Sequence, residues 1–173
     1  MPATYTLIAS NTLSSSAASV TFSSIPGTYT DLVLRMTVRT DRASQVTDGL
    51  RAFLNNDTSS NYSNTYLEGS GSAASSSLTG TFSRLWLGNC NASTSTSNTF
   101  SSVELYLPNY AGSTAKPAST FLVQENNTTA AIINVVANLG LSTSAVNRID
   151  LNSSTSSNFV SGSSFFLYGI KNS

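Results

Sequence analysis

The sequence predicts an all-β protein, an antiparallel β-sandwich of jelly-roll type with about ten strands. Three features carry this expectation. Short β-branched or aromatic runs recur between Ser/Asn/Gly/Thr clusters, with turn signals about every 8–15 residues. Several runs alternate with period two, as a half-buried strand requires. Helix formers are scarce, whereas 34 Ser, 22 Thr and 17 Asn among 173 residues compete with a helix for its backbone hydrogen bonds.

In chain order the strand candidates are Thr4–Ala9, Ala18–Ile25, Leu32–Thr40, Leu50–Asn55, Tyr62–Glu68 and Thr79–Leu87, followed by Thr99–Leu107, Thr120–Gln124, Ala131–Asn138, Val146–Leu151 and Ser164–Ile170. In the third, Leu32, Leu34, Met36 and Val38 share one face, and Arg35, Thr37 and Arg39 take the other with Val33. In the seventh, Val103, Leu105 and Leu107 oppose Glu104 and Tyr106; in the tenth, Ile149 and Leu151 oppose Arg148 and Asp150. Ala130–Leu139 is the one stretch long enough to compete as a short helix. Its Ile132, Ile133, Val135 and Val136 are β-branched, which favours a strand.

The Ser-rich stretches Ser14–Ser19, Gly69–Ser77, Asn91–Asn98 and Ser153–Ser157 are short and lie between strand candidates, so they read as loop tips. No linker or internal repeat interrupts residues 1–173, which are read as a single β-sandwich domain.

Composition excludes several chemistries. The chain has no His, which removes His-dependent triads and His-ligated metal centres. One cysteine, Cys90, makes neither an intrachain disulfide nor a Cys-x-x-Cys site. Eight basic and eight acidic residues give a formal net charge of +0, so no nucleic-acid partner is expected. Without a charged start or an apolar stretch of leader length, synthesis in a cytosol without a signal peptide is expected. No run approaches the roughly 20 apolar residues of a helical span, and no membrane partner is expected.

The remaining candidates each have a plain structural reading. A reactive Cys90 needs a base or cationic neighbour and reads instead as structural. Asp41, Asp48 and Asp57 are the carboxylates available for acid/base work or a Ca²⁺, but their spacing matches no ligand loop and turn capping is expected. Gly69-Ser70-Gly71-Ser72 lacks the following Lys and helix of a phosphate cradle. No catalytic residue, cofactor or metal site is therefore predicted. Trp86 shares a strand face with Phe82 and Arg84, and an exposed ring there makes a glycan contact the alternative to a core or interface role. Arg35, Arg39 and Arg42, near Asp31 and Asp41, are the candidate assembly contacts through ion pairs within or between subunits.

One resemblance spans nearly the whole chain. It is carried by Leu32-Val33-Leu34-Arg35 through Thr40-Asp41-Arg42-Ala43, by Asn61-Tyr62-Ser63 and by Leu67-Glu68-Gly69-Ser70-Gly71-Ser72. Its most specific part is Asn98-Thr99-Phe100-Ser101-Ser102 leading to Tyr106-Leu107-Pro108-Asn109-Tyr110-Ala111-Gly112-Ser113, with Glu125-Asn126-Asn127 and Leu167-Tyr168-Gly169-Ile170-Lys171-Asn172. In these stretches the sequence resembles short structural proteins of tailed bacteriophages, of the aquatic and cyanobacterial kind. Gly49–Asp57 is less typical, and nothing is transferred to it.

The resemblance implies a virion component and supplies no catalytic residues. The function expected from it is capsid decoration or cementing by a homotrimer, with the major capsid protein as partner and the virion as location. A host-recognition module in a tail or head fibre, holding glycans through Trp86, is the alternative. A polysaccharide-degrading enzyme is disfavoured by the missing His and the unpaired acids.

Overall fold

In the computed structural model, residues 4–125, 127 and 129–171 are described; Asn126 and Asn172 of the resemblance lie outside them. Twelve strands and no helix occur among the described residues. They are β1 (Tyr5–Thr12), β2 (Ser19–Phe22), β3 (Asp31–Val38), β4 (Thr47–Leu54), β5 (Tyr62–Gly69) and β6 (Ala74–Phe82), then β7 (Leu85–Asn91), β8 (Ser101–Leu107), β9 (Lys116–Glu125), β10 (Ala131–Gly140), β11 (Ile149–Ser153) and β12 (Ser164–Ile170).

The strands form two antiparallel sheets, one ordered β1-β12-β3-β8-β9-β10-β5-β6 and the other β2-β11-β4-β7. The pairs β1·β12, β2·β11, β3·β8 and β4·β7 nest inside one another and alternate between the sheets. A long hairpin wound in this way is a jelly roll, built from β1-β12-β3-β8 and β2-β11-β4-β7. Two hairpins are added to it. β5-β6 is inserted between β4 and β7, β9-β10 between β8 and β11, and both join the first sheet beyond β8. These four strands form a wing that doubles the width of that sheet.

The expected alternation explains the jelly-roll core. Leu32, Leu34, Met36 and Val38 of β3 and Val103, Leu105 and Leu107 of β8 are buried against Leu50, Ala52, Leu85, Leu87, Ile149 and Leu151 of the smaller sheet. Phe159, outside any strand, is fully buried and meets Phe165 edge-on, with ring centroids 5.2 Å apart. Val33 is on the other face of β3, yet buried.

Most strand bounds shift by a few residues from the sequence reading, Thr120–Gln124 growing to Lys116–Glu125 and Val146–Leu151 moving to Ile149–Ser153, and two differences go further. Thr79–Leu87 is not one strand: the chain bends at Ser83 and Arg84 and changes sheets, so its halves are β6 and β7. Gly69–Ser77 is not a long loop tip, because Ser70–Ala73 closes a tight turn and β6 starts at Ala74. Serine has little intrinsic strand preference, so Ala74-Ser75-Ser76-Ser77 takes its conformation from pairing with β5.

In the wing the two faces are less sharply divided. On the side facing the smaller sheet buried polar residues alternate with apolar ones: Thr120 and Gln124 flank Leu122 on β9, Asn134 and Asn138 flank Val136 on β10, and Asn64 follows Tyr62 on β5. Large apolar residues point outward: Phe121, Ile133, Val135, Leu67 and Leu78 are 38–70% exposed. The buried amides have a local cause at β7, the edge of the smaller sheet. The Trp86 amide donates to Asn138 Oδ1 (3.0 Å) and Asn138 Nδ2 donates to the Trp86 carbonyl (2.9 Å). The Asn89 amide donates to Asn134 Oδ1 at 2.8 Å. Asparagine side chains thus stand in for a further strand and cover an open edge. Gly88, at φ +106° beside a register shift, permits this approach: a Cβ there would lie 2.9 Å from Asn134 Oδ1.

Candidate assembly face and overhang cleft

The outer face of the large sheet can be followed across the strands by register. One row runs Phe166, Arg35, Glu104, Phe121, Val135, Leu67 and Ser76. Its wing half is apolar, with Phe121, Val135 and Leu67 side by side and Ile133 and Leu78 in flanking rows. At its centre Arg35 Nε donates to Glu104 Oε2 at 3.0 Å, both side chains being about half exposed. Such a pair contributes about 0.2–1 kcal/mol, so it fixes geometry more than stability.

The three candidate assembly arginines do not share this face. β3 ends at Val38, the period-two alternation ends with it, and Arg39 turns inward. Its guanidinium donates to the carbonyls of Thr96 (2.6 Å), Thr99 (3.1 Å), Ser95 (3.0 Å) and Ser93 (3.1 Å). From the opposite side Glu125 accepts from the amides of Thr96 and Asn127, both at 2.6 Å. Burial raises the Glu125 pKa, but these bonds outweigh it and hold the carboxyl below its ordinary value. The Ser-rich loop after β7 is therefore tied down by one internal cation and one carboxylate. Arg42 Nη1 donates to the Thr47 carbonyl (3.2 Å) and lies 3.9 Å from Asp48.

The other sequence candidates fall into structural roles. Asp41 accepts from the Asn158 amide (2.8 Å) and Nδ2 (2.9 Å). Asp57 accepts from the Ser59 amide and Asn61 Nδ2; the Asn61 bond is the main cause of its lowered pKa. Asp48 departs from the turn-capping expectation: it lies within β4, fully buried, accepting from Ser153 (2.6 Å) and Thr155 (2.9 Å) hydroxyls. Cys90 is fully buried, and burial, with the Asp48 charge adding, pushes its thiol far above the ordinary range. Among the described residues no group of three His, Cys, Asp or Glu is placed to hold a metal ion. No helix there is long and apolar enough to cross a membrane.

Where the wing overhangs β7 there is a cleft of about 260 Å³ lined by Asn64, Tyr66, Thr79, Phe82, Arg84 and Trp86. The bend that divides β6 from β7 places Phe82, Arg84 and Trp86 along it. The far end of the Trp86 ring lies over Gly49, where a Cβ would come within 2.3 Å of it. Trp86 is half-buried. The Arg84 guanidinium rests 4.0 Å from the Phe82 ring centroid. Burial, with repulsion from Arg51, lowers its pKa.

Searches of family models, curated proteins and solved structures returned no match to this chain. Sequence reasoning had placed Trp86 and Arg84 on one face, but it missed Asn64 and Tyr66. Their only sequence signal is that they alternate with Thr65 and Leu67, which becomes informative once the inner face of the wing is known to carry buried amides.

Proposed function

We propose that this protein is a structural component of a bacteriophage virion, a capsid decoration or cement protein that acts as a homotrimer. The observation that carries this reading is the apolar outer face of the wing. Phe121, Val135, Leu67, Ile133 and Leu78 form a contiguous apolar surface on a chain with few charges. Contiguous exposed apolar surface of this kind marks an interaction site. Around it the surface is mostly neutral hydroxyl and amide, which suits wet, shape-fitted contacts with repeated partner subunits. The sequence resemblance to tailed-phage structural proteins supplies the virion setting, and the major capsid protein is the partner this reading names.

Copy number per purified particle tests it. Quantitative mass spectrometry is expected to find hundreds of copies, and the V135K variant is expected to fold normally but fail to incorporate. A few copies per particle, or undiminished incorporation of V135K, would overturn the capsid assignment.

A further inference from the structure

We propose that the cleft beneath the wing binds an acidic saccharide, with Arg84 holding its carboxylate, Asn64 a hydroxyl oxygen and Trp86 the face of a sugar ring. The proposal starts from the six arginines of the chain. Five are spent on internal acceptors: Arg35 on Glu104, Arg39 on four carbonyls, Arg42 on the Thr47 carbonyl, Arg51 on Asn152 Oδ1 and Arg148 on Asp150. Arg84 has no hydrogen bond or ion pair among the described residues, and its Nε is buried without a partner. In the same cleft Asn64 is only 5% exposed and its Nδ2 also lacks a partner.

Two unmatched donors in one small concavity define what would complete it. The guanidinium fork matches a carboxylate in two parallel hydrogen bonds, and the amide matches a neutral oxygen. Aromatic rings beside them, Trp86 and Tyr66, offer apolar faces with polar tips. An acidic sugar ring presents all three complements at once. At about 260 Å³ the cleft is slightly smaller than the ~300–1,000 Å³ typical of ligand sites, which fits one residue of a glycan chain rather than a long segment. Arg84 Nε and Asn64 Nδ2 are both closed off from water in the free protein, so the acid must draw Arg84 off Phe82 and in doing so open the path to Asn64. The stacking contact it gives up is weaker than the charge-assisted bonds that replace it. This gives chemistry to the glycan contact that was the alternative for Trp86 and does not rest on the capsid assignment.

The test uses the purified protein, whose single tryptophan is Trp86 and therefore reports from the cleft itself. Trigalacturonate is titrated by tryptophan emission and by calorimetry, beside maltotriose as neutral saccharide and triglutamate as acidic peptide. Saturable binding of trigalacturonate is expected, weakened by salt and at least ~10-fold tighter than either comparison ligand. R84Q is expected to lose at least ~10-fold, R84K less, and R148Q nothing. Absence of saturable binding, equal binding by a normally melting R84Q or R84K, or equal binding of maltotriose would overturn the proposal. Equal binding of triglutamate would also overturn it, in favour of an acidic protein segment. Failure on any of these counts leaves the copy-number test of the virion reading unaffected.

Discussion

The jelly-roll half of the large sheet and its wing are continuous, yet they use side chains differently. In β3 and β8 the inward residues are Leu, Met and Val, because a second sheet lies over them and burial removes apolar surface from water. In β10 and β5 the inward residues include Asn134, Asn138 and Asn64, because what they face is the backbone edge of β7 and then the overhang. Unpaired edge groups demand hydrogen-bond partners, so polar residues belong there. Leu122 and Val136 still fill the inner face between these amides, but Phe121, Ile133, Val135, Leu67 and Leu78 lie on the outer face, where this chain offers them little cover. The lesson is that alternation specifies which residues share a face, while the layer opposite determines which face should be apolar.

Substitutions can break this contrast, beginning inside the jelly roll. Phe159→Ala is expected to cost about 3–5 kcal/mol, through lost burial and the cavity left beside Phe165. Urea unfolding followed by circular dichroism measures it, and a loss below about 1 kcal/mol would mean the site collapses without strain. At the junction, Asn138→Ala removes both side-chain partners of the Trp86 backbone and is expected to cost about 1–3 kcal/mol. Amide exchange at Trp86 should accelerate while Leu34 stays protected. On the outer wing, Leu67→Lys should change the stability of the isolated chain by no more than about 0.5 kcal/mol, since nothing in the chain covers Leu67. Its effect should appear instead as a smaller assembled species in light scattering.

The pH response sharpens the same comparison with smaller effects. With no His, stability should be nearly flat between about pH 5 and 8. Asp150 is raised by burial but lowered further by hydrogen bonds from Arg148 and Thr21 and by the Arg148 charge, so its net pKa lies below the ordinary value. Asp57 and Glu125 are lowered too. A depressed folded pKa contributes stability above the unfolded value and loses it as pH falls, so the melting temperature should drop below about pH 4. Tyr62 is pushed up to about 12, chiefly by burial. Its contribution is full below about pH 10 and is lost as pH rises through 12. Tyr110, also raised chiefly by burial, and Tyr106, raised chiefly by its bond to Asp31, act in the same direction, so absorbance titration at alkaline pH should show late-ionising tyrosines, Tyr62 among them, that titrate with unfolding.

Much of the jelly roll was legible because its strands obey the two simplest rules, alternation and turn punctuation. The β3 reading holds residue by residue up to Val38, and Arg39 fails only because the strand has ended. β6 was illegible at its start, since Ala74–Ser77 carries no strand preference until β5 pairs with it. Of the cleft, Trp86 and Arg84 could be named from their two-residue spacing. Asn64 could not, because a buried amide looks like any other Asn in a chain with 17 of them.

The sequence alone determined that this chain is built of strands, that His-dependent chemistry is closed to it, and which side chains lie on a common face. Those properties follow from local sterics and composition. Tertiary structure decided the sheet order, the turning inward of Arg39, and the union of Asn64, Arg84 and Trp86 in one cleft. Each depends on contacts between segments tens of residues apart, and local preference carries no information about such distant neighbours.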